Sequence, residues 1–184
     1  MRLAAIHYDR QSGAHVDDVL AGVVRILKSS GVKLGGSIQW NETAPNRTRC
    51  SMTLEDLASG RRILVSEDRG PHARGCRLNA SALEEAVVLT ASSIEAGVDL
   101  VIINRFGKQE AEGRGFRQVI EAAILLDLPV LVGVNETNRA SWEGFTGNEA
   151  ECLPCSIDAV LTWYGGVAPD AACHGPRTEP MSAT

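Results

Sequence analysis

Apolar residues recur along most of the chain at spacings typical of helices or of buried strands. The clearest helix covers residues 16–27, and Gly31 suits the left-handed position that ends a helix. Its apolar positions follow i, i+3, i+4 and i+7 spacing: Val16, Val19, Leu20, Val23, Val24 and Leu27. Residues 3–9 before it and 34–40 after it are predicted strands, and the paired glycines of the second permit a close backbone approach.

Two extended runs, residues 49–57 and 62–68, are separated by four residues that include Gly60, and they are predicted to form a β-hairpin. A helix is predicted from about Ser81, because Ser81 and Glu84 have the spacing of a capping box. The stripe that this helix buries consists of Leu83, Val87, Ala91 and Ile94.

A buried strand follows at residues 98–103, of which five are apolar. It leads into a loop at residues 107–115 and then into an amphipathic helix at residues 116–124, which Pro129 ends. The last predicted elements are a strand at 130–134 and short helices at 138–145 and 156–164.

Strands therefore alternate with helices, interrupted by one hairpin at about residues 49–68. This pattern predicts an α/β fold with a mostly parallel sheet covered by helices on both faces. We expect one domain over residues 1–166 and a disordered tail at residues 167–184. Such sheets bind ligands beyond the carboxyl ends of their strands. Here these ends are Asp9–Gly13, Asn104–Arg117 and Asn135 onward.

Composition excludes some classes of function. The formal net charge of −5 and the pI near 5.4 argue against general nucleic-acid binding and against binding to anionic membranes. No apolar run approaches the roughly 18 residues that span a bilayer, and the N-terminus lacks a signal-peptide pattern. We therefore expect a cytoplasmic protein. Its five cysteines, an odd number without a secretion signal, predict reduced thiols.

Three segments resemble the small P-loop NTPases of the thermophilic nucleoside-triphosphatase type: 31-GVKLGG-36, 54-LEDLASGRR-62 and 107-GKQE-110. The resemblance covers most of residues 3–135. It implies a P-loop-like fold, in which a glycine-rich turn after the first strand holds phosphates.

A closer resemblance is to a bacterial family, domain of unknown function 2478, which is found beside molybdate-transport and molybdenum-enzyme genes. The similar segments are 75-GCRLN-79, 104-NRFGKQEAEGRG-115 and 142-WEGF-145. This resemblance implies a molybdenum-related context. It supplies no reaction, because the family has none securely assigned.

The turn that corresponds to a phosphate loop, residues 9–18, departs from the motif G-x-x-x-x-G-K-[ST]. It has one glycine and no lysine, so it lacks the group that neutralises phosphate. Asp17 and Asp18 are expected in the first turn of the helix. There they would either compete with an anion for the positive end of the helix dipole or stabilise the helix end.

The strand at residues 98–103 departs from the NTPase pattern as well. Asn104 and Arg105 stand where an acidic Mg²⁺ ligand is expected, and an arginine would repel the metal. Two separate parts of the phosphoryl-transfer apparatus are therefore missing. The sequence argues against conventional P-loop NTPase activity.

Four cations within 13 residues suggest an anion site instead: Arg105, Lys108, Arg114 and Arg117. The residues expected to shape this loop or to line the site with them are Asp9, Ser12, Gly13, Asn104, Gly107, Glu110, Gly113 and Gly115. The alternative is a solvated loop, in which the cations pair with Glu110 and Glu112.

The ligand would be a nucleotide or a tetrahedral oxyanion such as molybdate, and the sequence does not decide between them. A nucleotide requires an apolar pocket. The aromatic residues that could form one are more typical of core packing: Trp40, Trp142, Phe145 and Trp163.

Other candidate groups carry weaker signals. Cys76 precedes a helix and neighbours Arg77, so it is a candidate reactive thiol, although a small buried side chain is the commoner role. Cys152 and Cys155 have C-x-x-C spacing, and Cys173 and His174 could complete a zinc site; these two lie in the tail that we expect to be disordered, and we predict no metal. A histidine base at His7 or His15, oriented by Asp9 or Asp17, has no supporting motif.

We therefore hypothesise a non-hydrolysing, anion-binding accessory protein of molybdenum metabolism. Its partners would be the small anionic ligand and a molybdenum enzyme or transporter subunit, with neither nucleic acid nor membrane involved. One alternative is an unorthodox NTPase or phosphotransferase, in which Glu110 or Asp9 binds Mg²⁺. Another is a protein-interaction module without a small ligand. The sequence does not indicate the oligomeric state.

Overall fold

The computed structural model describes residues 2–42, 51–67 and 78–165. The strands are β1 (Leu3–Tyr8), β2 (Leu34–Glu42), β3 (Ser51–Asp56), β4 (Arg62–Leu64), β5 (Leu100–Phe106), β6 (Val130–Asn135) and β7 (Glu151–Cys152). The helices are α1 (Gly13–Ser29), α2 (Ala80–Glu95), α3 (Lys108–Ala111), α4 (Arg117–Leu125), α5 (Arg139–Thr146) and α6 (Ile157–Gly165), with a 3-10 turn at Glu136–Asn138.

The strands form one sheet in the order β4-β3-β2-β5-β6-β1-β7. The pairs β2–β5, β5–β6, β6–β1 and β1–β7 are parallel, whereas β2–β3 and β3–β4 are antiparallel. The predicted α/β fold with a mostly parallel sheet is confirmed. The predicted hairpin is also present, since β3 pairs with β4 and Gly60 takes a positive φ of 72° in the turn.

Helices cover both faces of the sheet, and each face buries its own core. Side chains of β1 alternate between the two, as the pleat of a strand requires. Leu3 and Ala5 belong to the core under α2, α4 and α5, and Ala4 and Ile6 belong to the core under α1 and α6. The helix pattern read from the sequence agrees, because all six predicted apolar positions of α1 are buried.

The two glycine predictions are confirmed. Gly31 lies just beyond α1 with φ of 82°. Gly36 has φ of 100°, and a Cβ there would overlap the carbonyl oxygen of Ile102 on the neighbouring strand. The backbones of β2 and β5 can therefore approach only because position 36 lacks a side chain.

Two details of the helix termini were predicted wrongly. The side chain of Asn79, not Ser81, caps α2, accepting a hydrogen bond of 3.0 Å from the backbone N–H of Ala82. Helix α1 begins at Gly13, so Asp17 and Asp18 lie in its second turn and not in its first. Neither aspartate therefore competes for the exposed N–H groups at the start of the helix or caps them.

Other parts of the prediction differ from the structure or lie outside the described residues. Residues 107–115 are not all loop, because α3 forms a helical turn inside them. The short edge strand β7 was not predicted. The predicted tail at 167–184 lies outside the described residues, as do the ends of the hairpin range at 49–50 and 68. No helix in the described part of the chain is long and apolar enough to cross a bilayer.

Candidate functional site

The candidate site lies where β1, β6 and β5 reach their carboxyl ends beside one another. Between β5 and β6 the register shifts, because Ile103 pairs with Val132 whereas Phe106 pairs with Val134. One extra residue is thus accommodated around Asn104 and Arg105. A bulge of this kind redirects side chains at the end of a strand.

The bulge brings Asn104 and Arg105 to Asp17 of α1. The Asn104 Nδ2 atom donates to Asp17 Oδ1 at 2.7 Å, and an Arg105 terminal nitrogen lies 3.1 Å from the same oxygen. Asn41 of β2 donates to the other carboxylate oxygen at 2.8 Å. Asp17 therefore receives charge-assisted hydrogen bonds from β5 and β2. Its contact with Arg105 orients that arginine at the end of β5.

Tyr8 completes this cluster from β1. Its ring centroid lies 5.5 Å from the Arg105 guanidinium carbon, within the range of a cation–π contact. Three atoms of the cluster are buried without a hydrogen-bond partner: Tyr8 Oη, Asn104 Oδ1 and Arg105 Nε. Buried polar atoms are seldom left unpaired in folded proteins, so these three atoms hold hydrogen-bonding capacity that the protein itself does not use.

Burial governs the protonation equilibria here. It raises the pKa of the Asp17 carboxyl, while the Asn104 hydrogen bond and the Arg105 charge act in the opposite direction. Burial also raises the pKa of the Tyr8 hydroxyl, and the positive charge of Arg105 opposes that effect. Burial therefore disfavours the ionised form of Asp17, even though Arg105 lies beside it.

The turn between β1 and α1 contains only four residues, Asp9 to Ser12. The Oδ1 atom of Asp9 accepts hydrogen bonds from the backbone N–H groups of Gln11 and Ser12 and from the Ser12 hydroxyl. The Ser12 hydrogen bonds lower the pKa of the exposed Asp9 carboxyl. A turn closed by its own aspartate offers fewer N–H groups to a phosphate than a working phosphate loop does.

The other three predicted cations each have an acidic neighbour. Arg114 pairs with Glu112, and the Lys108 Nζ atom lies 3.6 Å from the same glutamate. Arg117 lies 3.2 Å from Glu121 and 4.2 Å above the Phe145 ring centroid. The described contacts thus join Arg105 alone to the Asp17 cluster.

Glu110 has a structural role that the sequence did not indicate. It is only 4% exposed, and its carboxylate accepts hydrogen bonds from the backbone N–H groups of Gly107 at 2.9 Å and Phe116 at 3.1 Å. A Cβ at Gly115 would collide with it, and Gly113 and Gly115 both have positive φ. Gly113 and Gly115 thus take the backbone conformation that the glycine pattern predicted, whereas Gly107 has a φ of −114°.

The weaker candidates are not brought to the cluster. Burial lowers the pKa of His7, whose charged neighbours are Arg139, Glu136 and Glu143 and not the predicted Asp9 or Asp17. His15 is exposed. The aromatic residues Trp142 and Phe145 pack with Phe106 in the core, at centroid distances of 5.2 and 6.0 Å.

The cysteines divide into three groups. Cys50, Cys76 and Cys173 lie outside the described residues. Cys152 is disulfide-bonded, which corrects the prediction of reduced thiols, and Cys155 is a free thiol whose pKa is raised by burial. The C-x-x-C pair is therefore not bonded to itself. Within ranges 2–42, 51–67 and 78–165, no group of three or more His, Cys, Asp and Glu side chains could hold a metal ion.

Asp17 is the site residue whose role sequence reasoning missed. Its partner Arg105 is 88 residues away, and no spacing along the chain signals that contact. The mostly parallel α/β sheet, with a short turn between its first strand and first helix, is consistent with a P-loop-NTPase-like fold.

The chain belongs to the family described as protein of unknown function (DUF2478), whose profile matches residues 3–163. It is 37% identical over 163 residues to the molybdenum import ATP-binding protein ModC 2 of Bradyrhizobium diazoefficiens. That match covers 89% of this chain but 18% of the relative, so the chain spans less than a fifth of that protein.

The chain is also similar to the nucleoside-triphosphatase THEP1 of Methanothermobacter thermautotrophicus. The two are 27% identical over 117 residues, which cover 62% of this chain and 67% of the relative. No solved structure matches the chain.

Proposed function

We propose that this protein binds a nucleotide or a molybdate-type oxyanion at the carboxyl ends of its strands and does not hydrolyse it. The position of Arg105 carries the proposal. Its guanidinium is permanently charged, its side chain is 30% exposed, and its hydrogen bonds to Asp17 run from one terminal nitrogen. An anion at this edge of the sheet would therefore meet an oriented donor with unused hydrogen-bonding capacity.

Lys108 and Arg114 extend this positive surface along the α3 segment. Their ion pairs with Glu112 are exposed, since the side chains of Lys108 and Arg114 are 75% and 60% accessible. Exposed pairs of this kind contribute about 0–1 kcal/mol, so an incoming oxyanion can compete for the cations. Lys108, Arg114 and Arg117 remain in the proposal as outer contacts, and Arg105 is the inner one.

The absence of hydrolysis is proposed from the chemistry of the residues present. Asn104 is 1% exposed and is hydrogen-bonded to Asp17, whereas a magnesium ligand at this position would be an accessible carboxylate. Asp9 accepts all the hydrogen bonds of its own turn through its Oδ1 atom, so only the Oδ2 atom is left for a metal. Neither residue supplies the metal and water positioning on which phosphoryl transfer depends.

The molybdenum context is proposed from similarity. A segment of a protein named for molybdenum import is 37% identical to this chain, and the match covers 89% of this chain. We infer that the chain acts as an accessory in molybdenum uptake or use and that its partner is a molybdenum enzyme or a transporter subunit. The ATP-binding function in the relative's name is not carried over, since the match covers only 18% of that protein.

The similarity to THEP1 favours a second candidate, an unorthodox NTPase. In that case Glu110 or Asp9 would have to bind Mg²⁺, and Glu110, which is 4% exposed and accepts two backbone hydrogen bonds, would have to become accessible to the metal. Magnesium-dependent release of phosphate from ATP or GTP, lost in Glu110→Ala and Asp9→Ala, is the result that would establish it.

A thermal-unfolding panel tests the leading proposal. The ligands, at constant ionic strength, are molybdate, tungstate, sulfate, phosphate, MgATP and MgGTP. A ligand at 100 times its Kd adds about 2.7 kcal/mol to the free energy of unfolding and raises Tm by several degrees. We expect stabilisation by at least one anion in the wild type and none in Arg105→Ala.

The matched control is Arg61→Ala. Arg61 is also an exposed arginine paired with an acid, Glu85, but it lies in the turn between β3 and β4. That turn is at the opposite end of β2 from the site, since Asp56 pairs with Ser37. Arg61→Ala should keep the ligand-induced shift. Equal shifts in the wild type and Arg105→Ala would overturn the assignment of Arg105.

A further inference from the structure

A cavity of about 220 Å³ opens beside the bulge of β5, between the β-hairpin and helices α2 and α3. Four of its apolar walls, Leu54, Val65, Leu83 and Phe116, belong to the core on the face of the sheet opposite α1. Met52 and Leu78 complete the apolar lining. The cavity is thus separate from the turn between β1 and α1, where a P-loop protein holds phosphate.

The size of the cavity limits what it can hold. It is well above the roughly 30 Å³ that one water occupies. It is also below the roughly 300–1,000 Å³ of pockets for drug-sized ligands. A single ring or a short chain fits this range. A bare oxyanion does not suit the apolar walls, because a charge that leaves water needs a full set of paired donors.

The polar groups along the wall suit a ring that donates hydrogen bonds. Glu110 lines the cavity, and its carboxylate is acceptor-only when ionised, with capacity beyond the two backbone N–H groups that it already receives. Gln39 uses an N–H to reach Asn41, which leaves its carbonyl oxygen as an acceptor. A negative group inside the cavity would be repelled by Glu110, whereas a ring nitrogen or amino group would be attracted.

The rim of the cavity has the opposite chemistry. Arg105 and Lys108 line it as well, and Arg105 is the residue that also contacts Asp17 on the other side of the bulge. Gln109 lies between Lys108 and Glu110, and its carbonyl oxygen accepts from Arg114 at 3.0 Å, which leaves its amide N–H groups to donate. The cavity thus has an apolar, hydrogen-bond-accepting interior and a cationic entrance.

We propose that the ligand is an organic anion with an amine-bearing heteroaromatic ring, which occupies this cavity while its phosphate or other anionic group lies at Arg105. The inference rests on the proposed function, because it takes Arg105 as the anion contact. It decides between the two ligand classes in favour of the nucleotide-like one. Bare molybdate and phosphate would occupy only the rim.

Isothermal titration calorimetry of the full chain tests the inference. The probes are adenosine and guanosine monophosphate, with ribose 5-phosphate, inorganic phosphate and molybdate as anions without a ring. Burying a ring gives a large apolar contact, so we expect at least one nucleotide to bind about tenfold or more tightly than ribose 5-phosphate. The result that would overturn the inference is equal or tighter binding of the anions without a ring.

The variant Met52→Trp places a larger side chain in the wall of the cavity. It should remove the preference for the nucleotide and leave the affinity for phosphate unchanged. The control Leu64→Trp changes an exposed residue of the hairpin, 54% accessible, and should keep the preference. Gln39→Ala provides the same test without added bulk if Met52→Trp does not fold. An unchanged preference in both cavity variants would contradict the assignment.

Arg105→Ala separates the two failures. If it abolishes binding of phosphate and molybdate but no nucleotide preference exists in the wild type, the proposed function stands and the ring site is wrong. If Arg105→Ala leaves every affinity unchanged, the proposed function itself is wrong.

Discussion

Asp17 pairs with one terminal nitrogen of Arg105, and its negative charge would repel an anionic ligand on the far side of the guanidinium, so replacing it with asparagine should strengthen anion binding. The substitution keeps the shape of the side chain and its capacity to accept from Asn104, and it removes the negative charge. It distinguishes two roles for Asp17. The carboxylate either competes with the ligand for Arg105 or holds Arg105 in the position that the ligand needs.

The magnitude follows from the geometry. Asp17 lies 3.1 Å from an Arg105 nitrogen, and its side chain is 12% exposed. A monoanion bound to the far side of Arg105, about 5 Å from Asp17, would be repelled by about 3 kcal/mol at an effective dielectric of about 20. The partial exposure of Arg105 roughly halves this value through screening by water. About 1.5 kcal/mol corresponds to about a tenfold gain in affinity for Asp17→Asn.

The effect on stability should be small and should depend on pH. Loss of one charged hydrogen-bond acceptor costs about 1.5 kcal/mol or less where burial already opposes the charge, which lowers Tm by under about 6 °C. Burial raises the pKa of Asp17 in the folded state, so the folded chain keeps that proton to a higher pH than the unfolded chain does. This contribution to stability is complete below the unfolded pKa and is lost as pH rises through the folded pKa.

The assay is calorimetric titration of wild type, Asp17→Asn and Asp18→Asn with the same anion, together with urea unfolding between pH 3 and 8. Asp18 is the control, because it is exposed in the same turn of α1. We expect tighter binding in Asp17→Asn alone, and a flatter dependence of its unfolding free energy on pH. Weaker binding in Asp17→Asn would refute the competition and assign Asp17 the positioning role.

Three further predictions concern the frame of the site. Gly36→Ala should lower the free energy of unfolding, measured with urea, by more than about 3 kcal/mol, because a Cβ would overlap the Ile102 carbonyl. The control Gly60→Ala, where a Cβ would meet open space, should lower it by less. Glu110→Gln should destabilise the protein most near pH 4 and less at pH 8. Burial raises the pKa of Glu110 in the folded state, so the stability that the protonated wild-type side chain contributes is lost as pH rises. Greater destabilisation at pH 8 than at pH 4 would contradict this. Tyr8→Phe should leave Tm within about 2 °C, because the hydroxyl is buried without a partner; a larger fall would reveal a hydrogen bond.

The order of elements could be predicted because it depends on local periodicity. The apolar stripe of α1 and the glycines at positions 31 and 36 are local signals, and the structure confirms them. The start of α1 at Gly13 could not be predicted in the same way. Its N-cap Ser12 makes no side-chain cap hydrogen bond, so no capping pattern marked the boundary.

The site could be predicted only in part. Because β1, β6 and β5 are parallel, their carboxyl ends lie side by side. The sequence therefore predicted correctly that Asn104 and Arg105 lie at the carboxyl ends of the strands. The contact between Arg105 and Asp17 depends on the bulge in β5 and on the rotation of α1 over the sheet, neither of which is encoded in spacing along the chain. The cavity beside the hairpin likewise arises from three elements that are distant in sequence.

The most direct test of the central claim is to measure by calorimetry the dissociation constant of the best-stabilising anion. The proteins compared are the wild type, Arg105→Lys and Arg105→Ala. Where that anion is a nucleoside triphosphate, phosphate release is monitored in the same samples. We predict measurable binding in the wild type, weaker binding in Arg105→Lys because the planar pair of donors is lost, no binding in Arg105→Ala, and no phosphate release. Binding that survives in Arg105→Ala, or steady magnesium-dependent phosphate release by the wild type, would contradict the account.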